Sequence, residues 1–412
     1  MERQYKDSGI KWIGQIPEDW NIERLKCLFS ERNERDCKGR TLLSVSQYFG
    51  IRPKSETDLA DSHIAESYDD YKEVYEGDFV MNIMLAWNGS YAVSDYDGMV
   101  SPAYCVFKFR KDCCKKYFHY LLRTDGYPSA FKTMSRGVID SRLRLYPEQF
   151  YTFPVIIPSV EEQQRIANYL DKKCAEIDGL IELQEQMIAQ LTDYKQSVIT
   201  EAVTKGINSD AKLVPSGIHW IGDIPEGWEI CRFKSYINLH NEKGSETAKI
   251  KVNLENIESK SGRYIPSDSQ YEGEGTSFKK GDVLFGKLRP YLAKVLAPDF
   301  EGVAMGDIYV FRPTTRVDAC FLKFMLLADT FVTIVDSSTY GTKMPRANWD
   351  FISCVPIVVP PLNEQKNIAT YLEGKCAEID NLISVKQQKI DRLKDYKKSL
   401  IFECVTGKKE IN

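Results

Sequence analysis

From Leu170 onward the apolar positions step forward by four and three residues in alternation, through Leu170, Cys174, Ile177, Ile181, Ile188, Leu191, Val198 and Ala202, with Gln184 and Lys195 as polar rungs. The same frame returns at Leu372, Cys376, Ile379, Ile383, Ile390, Leu393, Leu400 and Cys404, with Lys386 and Lys397 at the same polar rungs. A 3.5-residue period held over about four heptads predicts two long helices with a coiled-coil seam. Prolines at 154 and 158, and at 356, 360 and 361, close the segment before each helix. A helix of roughly 40 residues is about 60 Å long. Paired antiparallel, two such helices form a rod with a folded domain at each end, its polar rungs fixing register.

The segments before the helices also repeat. Residues 8–20 read SGIKWIGQIPEDW, and 208 positions on, residues 216–228 read SGIHWIGDIPEGW. EGDFVMNIM from Glu76 faces KGDVLFGKL from Lys280, and the helix segments themselves align at an offset of 202. Three echoes in one order make the chain an internal duplication with pseudo-two-fold character. Turn signals around alternating apolar residues predict short strands or an extended arm at each opening. Strand-like runs at 104–109 and 308–311 accompany one helix-like stretch per copy, at 117–122 and 321–327. The expected fold is mixed α/β: two similar domains at 1–160 and 206–362, and two long antiparallel coiled-coil helices at 161–205 and 363–412. Residues 31–71 and 238–270 match poorly, so a common frame holds different interiors. The paired tryptophans and isoleucines of the opening motif read as a packing clasp between domain and rod.

Composition narrows the class. Hydrophobic residues make up 43% and charged residues 28% of the 412-residue chain, as in a soluble globular protein. No apolar stretch follows Met1 and no run of about 18 apolar residues occurs, which makes the cytoplasm the expected location. Eleven cysteines without a CxxC pair read as small buried hydrophobes in a reducing compartment, and four scattered histidines argue against a zinc site. Net charge is −4, yet residues 279–294 hold five basic residues against one acidic.

No catalytic constellation emerges. Residues 281–287 have GxxxxGK spacing, but Leu288 stands where magnesium coordination needs Ser or Thr, and the first copy has Asn82 and Ile83 in place of Gly-Lys. Two loop regions per copy instead collect base- and phosphate-binding chemistry. After the Gly-Asp strand stand Asn82, Trp87, Asn88 and Ser90 in the first copy, and Lys287, Arg289 and Tyr291 in the second. Before the last strand stand Arg136, Ser141, Arg142 and Arg144, and Tyr340, Thr342, Lys343 and Arg346. Diverged domains at a fixed separation suit an asymmetric, split site on double-stranded DNA.

The doubled SGI-x-WIG-x-IPE-x-W opening, the Gly-Asp strand and the EQ-containing start of each long helix resemble the specificity subunit of type I restriction-modification systems over essentially the whole chain. The resemblance implies two target-recognition domains similar to those of adenine methyltransferases, with helices that set the spacer between half-sites. It implies a non-catalytic subunit that recruits two methyltransferase subunits bringing S-adenosylmethionine and a restriction/translocase subunit that hydrolyses ATP with Mg. It also makes Gln163, Ile166, Gln365 and Ile368 candidates for docking those partners, with no cofactor or metal in this chain. A scaffold spacing two peptide-binding domains, and a nuclease or methyltransferase complete in one chain, stay open as alternatives at this point.

Overall fold

The computed structural model describes residues 3–35, 39–47, 49–54, 68–137, 139, 142–245, 250–267, 271, 273–339 and 344–411. The chain falls into two compact units, Met1–Leu183 with Lys389–Asn412, and Gln184–Gln388.

Each unit is built on a four-stranded antiparallel sheet of the same order. In the first unit the order is Phe29–Arg32, Tyr104–Phe109, Phe79–Asn82, Tyr91–Val93. In the second it is Ile237–His240, Ile308–Pro313, Val283–Gly286, Val295–Leu296. The strands read as continuous apolar runs because both faces of the sheet are covered. Phe79 and Phe107 enter the main core with Phe29 and Phe150, while Val80 and Val106 enter a second cluster with Leu43 and Ile51. The alternation recurs with Val283 and Phe285 on one face and Leu284 on the other.

The expected helices are present as Lys115–Leu122 and Ala319–Leu327. A second helix follows each of them, Gly126–Met134 and Asp329–Ser337, where the sequence pattern shows only one. These segments are short and carry Gly, Pro, Thr or Val, so packing of Tyr127 and Phe131, or Phe331 and Val335, supplies what propensity does not.

The Gly-Asp motif is structural. Asp78 is buried, accepts the amide of Tyr75 and pairs with Arg32 at 2.9 Å. Asp282 likewise accepts the amide of Lys279 and holds Arg312 bidentately at 2.8 Å.

The poorly matching interiors fold differently. The first unit has two antiparallel pairs, Leu43–Ser46 with Gly50–Pro53 and Lys72–Val74 with Gly98–Val100, joined by a parallel bridge between Leu42 and Met99. The second has one three-stranded sheet of Lys251–Val252, Gly302–Met305 and Gly275–Phe278, containing a parallel pair.

The long helices run unbroken over Val160–Lys205 and Leu362–Val405. Their pairing is antiparallel: in the first unit Leu170 and Ile177 share a core with Leu400 and Cys404, and in the second Ile199 and Ala202 share one with Ile368 and Leu372. Every seam position predicted from the heptads is buried or half-buried. Two of the three lysine rungs form ion pairs of one design, Lys397 with Asp178 at 2.7 Å and Lys195 with Asp380 at 2.8 Å, while Lys386 donates to Met187 Sδ at 3.2 Å.

The clasp is equally regular. Each opening forms a hairpin, Tyr5–Asp7 with Gln15–Pro17 and Leu213–Pro215 with Asp223–Pro225. The indole Nε1 of Trp20 donates to Glu162 at 2.9 Å, and that of Trp228 to Glu364 at 3.0 Å. Two residues beyond the end of the second long helix stands Gly407, whose φ of 71° favours glycine; a Cβ there would lie 2.5 Å from the Pro17 ring, so no other residue fits.

Candidate nucleic-acid interface

In the first unit the strand Phe79–Asn82 runs into a tight turn and a single 3-10 turn, Ala86–Asn88, closed by Gly89. Asn82 is buried and its Oδ1 accepts the amide of Met84 at 3.0 Å, while buried Ser90 donates to Asn88 Oδ1 at 2.8 Å. These two predicted contact residues therefore shape the loop from inside and are not presented to a ligand. A polar side chain next to a turn bonds its own backbone before it meets anything else. Trp87 is half-buried, donates to Met84 O at 3.0 Å and carries the Lys132 ammonium 5.0 Å from its ring. Met84 and Leu85 stand exposed at the tip.

The second loop is joined to the first by Leu145 N donating to Ile83 O at 2.9 Å. Arg136 and Arg144 exchange backbone hydrogen bonds at 2.9 Å across its base. Gly137 lies so close to this base that a side chain there would meet the Arg142 carbonyl at 2.5 Å. Exposed Arg136, Arg142 and Arg144 thus converge on a cleft of about 810 Å³, completed by Tyr146, Glu148 and Gln149. Among the described residues none of the three guanidinium groups has an ion-pair or hydrogen-bond partner. Set against the carboxylate of Glu148, they leave the cleft with net positive charge. Ser141 lies outside the described residues.

A third element carries no signal in the sequence. The hairpin of Leu43–Ser46 and Gly50–Pro53 brings Gln47 beside Gly89 of the first loop and carries exposed Phe49 and Arg52. Arg123 ties it in place, donating to Gln47 O at 2.6 Å and Tyr91 O at 2.7 Å. It falls in the stretch 31–71, which matches poorly between the copies, so comparison of the repeats does not point to it.

In the second unit the corresponding groups also converge. Lys287 N donates to Asp307 O at 2.9 Å, Ala347 N to Lys287 O at 2.8 Å and Arg289 N to Pro345 O at 2.8 Å. Arg346 is held by Asp307 through Nε at 3.1 Å and Nη2 at 3.0 Å, and Lys287 lies 3.9 Å from the same carboxylate. The pairing raises the pKa of Arg346, through its hydrogen bond to Asp307 first. Arg289 and Tyr291 are exposed beside them, Arg289 with a left-handed φ of 52°. Tyr340, Thr342 and Lys343 lie outside the described residues.

The four residues expected to dock partners are turned inward. Gln163, 1% exposed, accepts Cys114 N at 2.9 Å and donates to Pro158 O at 2.9 Å. Gln365, fully buried, accepts Asp318 N at 2.8 Å and donates to Arg316 O and Pro360 O at 2.9 and 2.8 Å. Ile166 and Ile368 are core residues. Their role is to lock each long helix to its own domain, because a buried amide with both ends satisfied has nothing left to offer a partner.

No group of three or more His, Cys, Asp or Glu among the described residues stands close enough to hold a metal ion, and no described helix is long and apolar enough to cross a membrane.

Residues 17–193 and 225–395 match the family model for the type I restriction modification DNA specificity domain. The chain is 24% identical over 348 residues to the type I restriction enzyme EcoDI specificity subunit of Escherichia coli, covering 79% of this chain and 77% of that protein. It is 23% identical over 436 residues to the MjaVIII specificity subunit of Methanocaldococcus jannaschii, covering 98% and 96%. A chain solved in work on complex assembly and conformational transition of the type I R-M system superposes with a TM-score of 0.69 at 16% identity, covering 95% of this chain and 99% of that one. The HsdS subunit of Thermoanaerobacter tengcongensis superposes with a TM-score of 0.53 at 16% identity, covering 97% and 99%.

Proposed function

Since the chain belongs to the type I restriction modification DNA specificity family, we propose that each unit reads one half of a split, asymmetric site in double-stranded DNA. The carrying observation is that both units place a basic loop pair at the same end of the same sheet, on a shared frame, with different side chains. Phosphate contacts from arginines position a protein on the duplex, and groups aimed at base edges give sequence preference. Arg136, Arg142 and Arg144 with Trp87 and Asn88 serve this purpose in the first unit, and Lys287, Arg289, Tyr291 and Arg346 in the second. Tyr340, Thr342, Lys343 and Ser141 belong to the same loops in sequence.

The antiparallel helices set the spacer between half-sites and offer their outward faces to two methyltransferase subunits. The chain itself performs no chemistry: S-adenosylmethionine, ATP and Mg belong to the methyltransferase and restriction/translocase partners, in the cytoplasm. Target-recognition domains at 1–160 and 206–362, with spacer helices at 161–205 and 363–412, are the functional division that goes with this role.

The test is base-resolution methylome sequencing of a strain lacking the gene, with and without the gene restored beside its neighbouring methyltransferase gene. One split adenine-methylated motif is expected. Its absence from a complex shown to assemble would refute the DNA-reading role.

A further inference from the structure

The duplication supplies an internal control for one arginine. Lys287 and Ile83 occupy the same place, after the third strand of each sheet. Lys287 bonds Asp307 O and Ala347 N, and Ile83 bonds Ala103 O at 3.1 Å and Leu145 N at 2.9 Å. Through these matched backbone bonds Arg346 of the second unit corresponds to Arg144 of the first, and Asp307 corresponds to Ala103. Arg346 thus has a carboxylate at the matching position, where the first copy has alanine and offers Arg144 none.

The difference is chemical. Asp307 takes Nε and one proton of Nη2, which fixes the guanidinium plane and leaves two parallel donors, from Nη1 and Nη2, at the far end. That pair matches the O6 and N7 acceptors of guanine in the major groove. The side chain of Arg346 is 56% exposed, so the donor end is accessible while the carboxylate side is held. Asp307 also offsets its charge and that of Lys287, 3.9 Å away, which weakens the site as a general phosphate holder. Arg144 has neither constraint, and with Arg136 and Arg142 it lines a cleft without an ion-pair partner among the described residues.

Resting on the DNA-reading role proposed above, we infer that Arg346, oriented by Asp307, reads a guanine in the half-site of the second unit, whereas Arg144 and its neighbours hold phosphate. Arg346 contacts the base; Asp307 is a positioning residue.

The experiment uses the full chain expressed with its methyltransferase partner in a strain lacking both, with the methylated motif read at base resolution. Arg346→Lys keeps the charge but loses the fork, and is expected to relax one guanine position of one half-site by roughly 5- to 150-fold, leaving the other half-site intact. Asp307→Asn should relax the same position. Both Asp307→Asn and Asp307→Ala remove one negative charge, so each should also strengthen binding to unrelated duplex, a change that a merely structural ion pair does not produce together with a specificity change. Arg144→Ala should instead weaken binding to all sequences and lower the slope of log affinity against log salt by about one. Should a variant lose methylation outright, selecting duplexes from a random pool with the purified complex reads the same position. A wild-type split motif that Arg346→Lys leaves unchanged overturns this inference alone. No motif from the assembled wild-type complex overturns the DNA-reading role, and this inference with it.

Discussion

The two units have one sheet order, one clasp and one helix lock, yet they compensate charge in opposite ways at the loops they present. Among the described residues the first unit leaves three arginines without partners around a cleft; the second lets one aspartate, Asp307, serve both Arg346 and Lys287. Frame residues are buried and bonded within the chain, so changing them costs stability. Loop residues are exposed on rigid supports, so changing them alters what the protein binds.

Exchange of a whole unit has the largest expected effect. Replacing residues 1–152 with the same region of a relative should replace one half-site and leave the other intact, as read in the methylome; a change in both half-sites would refute independent reading by the units.

Next come the clasps. Trp20 is fully buried, packs edge-on to Tyr117 and lies beneath Arg3, whereas Trp228 is 8% exposed. Trp20→Ala should destabilise by about 4 kcal/mol, more than Trp228→Ala, measured by denaturant unfolding.

Acid separates the units by a smaller margin. Burial pushes the pKa of His119 down from 6.5 to about 3, and its Nδ1 accepts Val93 N. Arg123 and Lys116 nearby act in the same direction and Asp171 against it. The folded state keeps this ring neutral, so its contribution is complete above pH 6.5 and is lost as pH falls from 6.5 towards 3. At pH 5 the loss should be about 2 kcal/mol. The second unit has Lys323 at the matching place. His119→Gln should therefore flatten the acid limb of stability, and an unchanged pH dependence would refute the assignment.

The smallest expected difference lies in the seam. Lys195 is 8% exposed and its partner Asp380 also pairs with Arg263, whereas Lys397 is 28% exposed and its partner Asp178 58%. Lys195→Ala should cost about 2 kcal/mol and Lys397→Ala under about 1 kcal/mol, by thermal unfolding.

Much of this is legible without coordinates. Heptad spacing, two-sided apolar strands and the three ordered echoes are local or periodic signals, and they are enough to define two long helices and a duplicated α/β frame; the antiparallel direction of the helices is set by which residues share a core. The loop candidates fare unevenly because residue type says which bonds a group can make and not which it has already made. Asn82 and Ser90 are spent inside their own turn, and Gln163 and Gln365 are spent on the loops that begin the neighbouring helices.

The repeat, the seam and its polar rungs follow from residue order alone, since periodic burial writes itself into periodic residue type. Which cations stay free for a ligand follows instead from how the chain comes together in space. Asp307 and Arg346 are 39 positions apart and meet because backbone bonds to Lys287 draw two separate segments together, a proximity that no local pattern encodes.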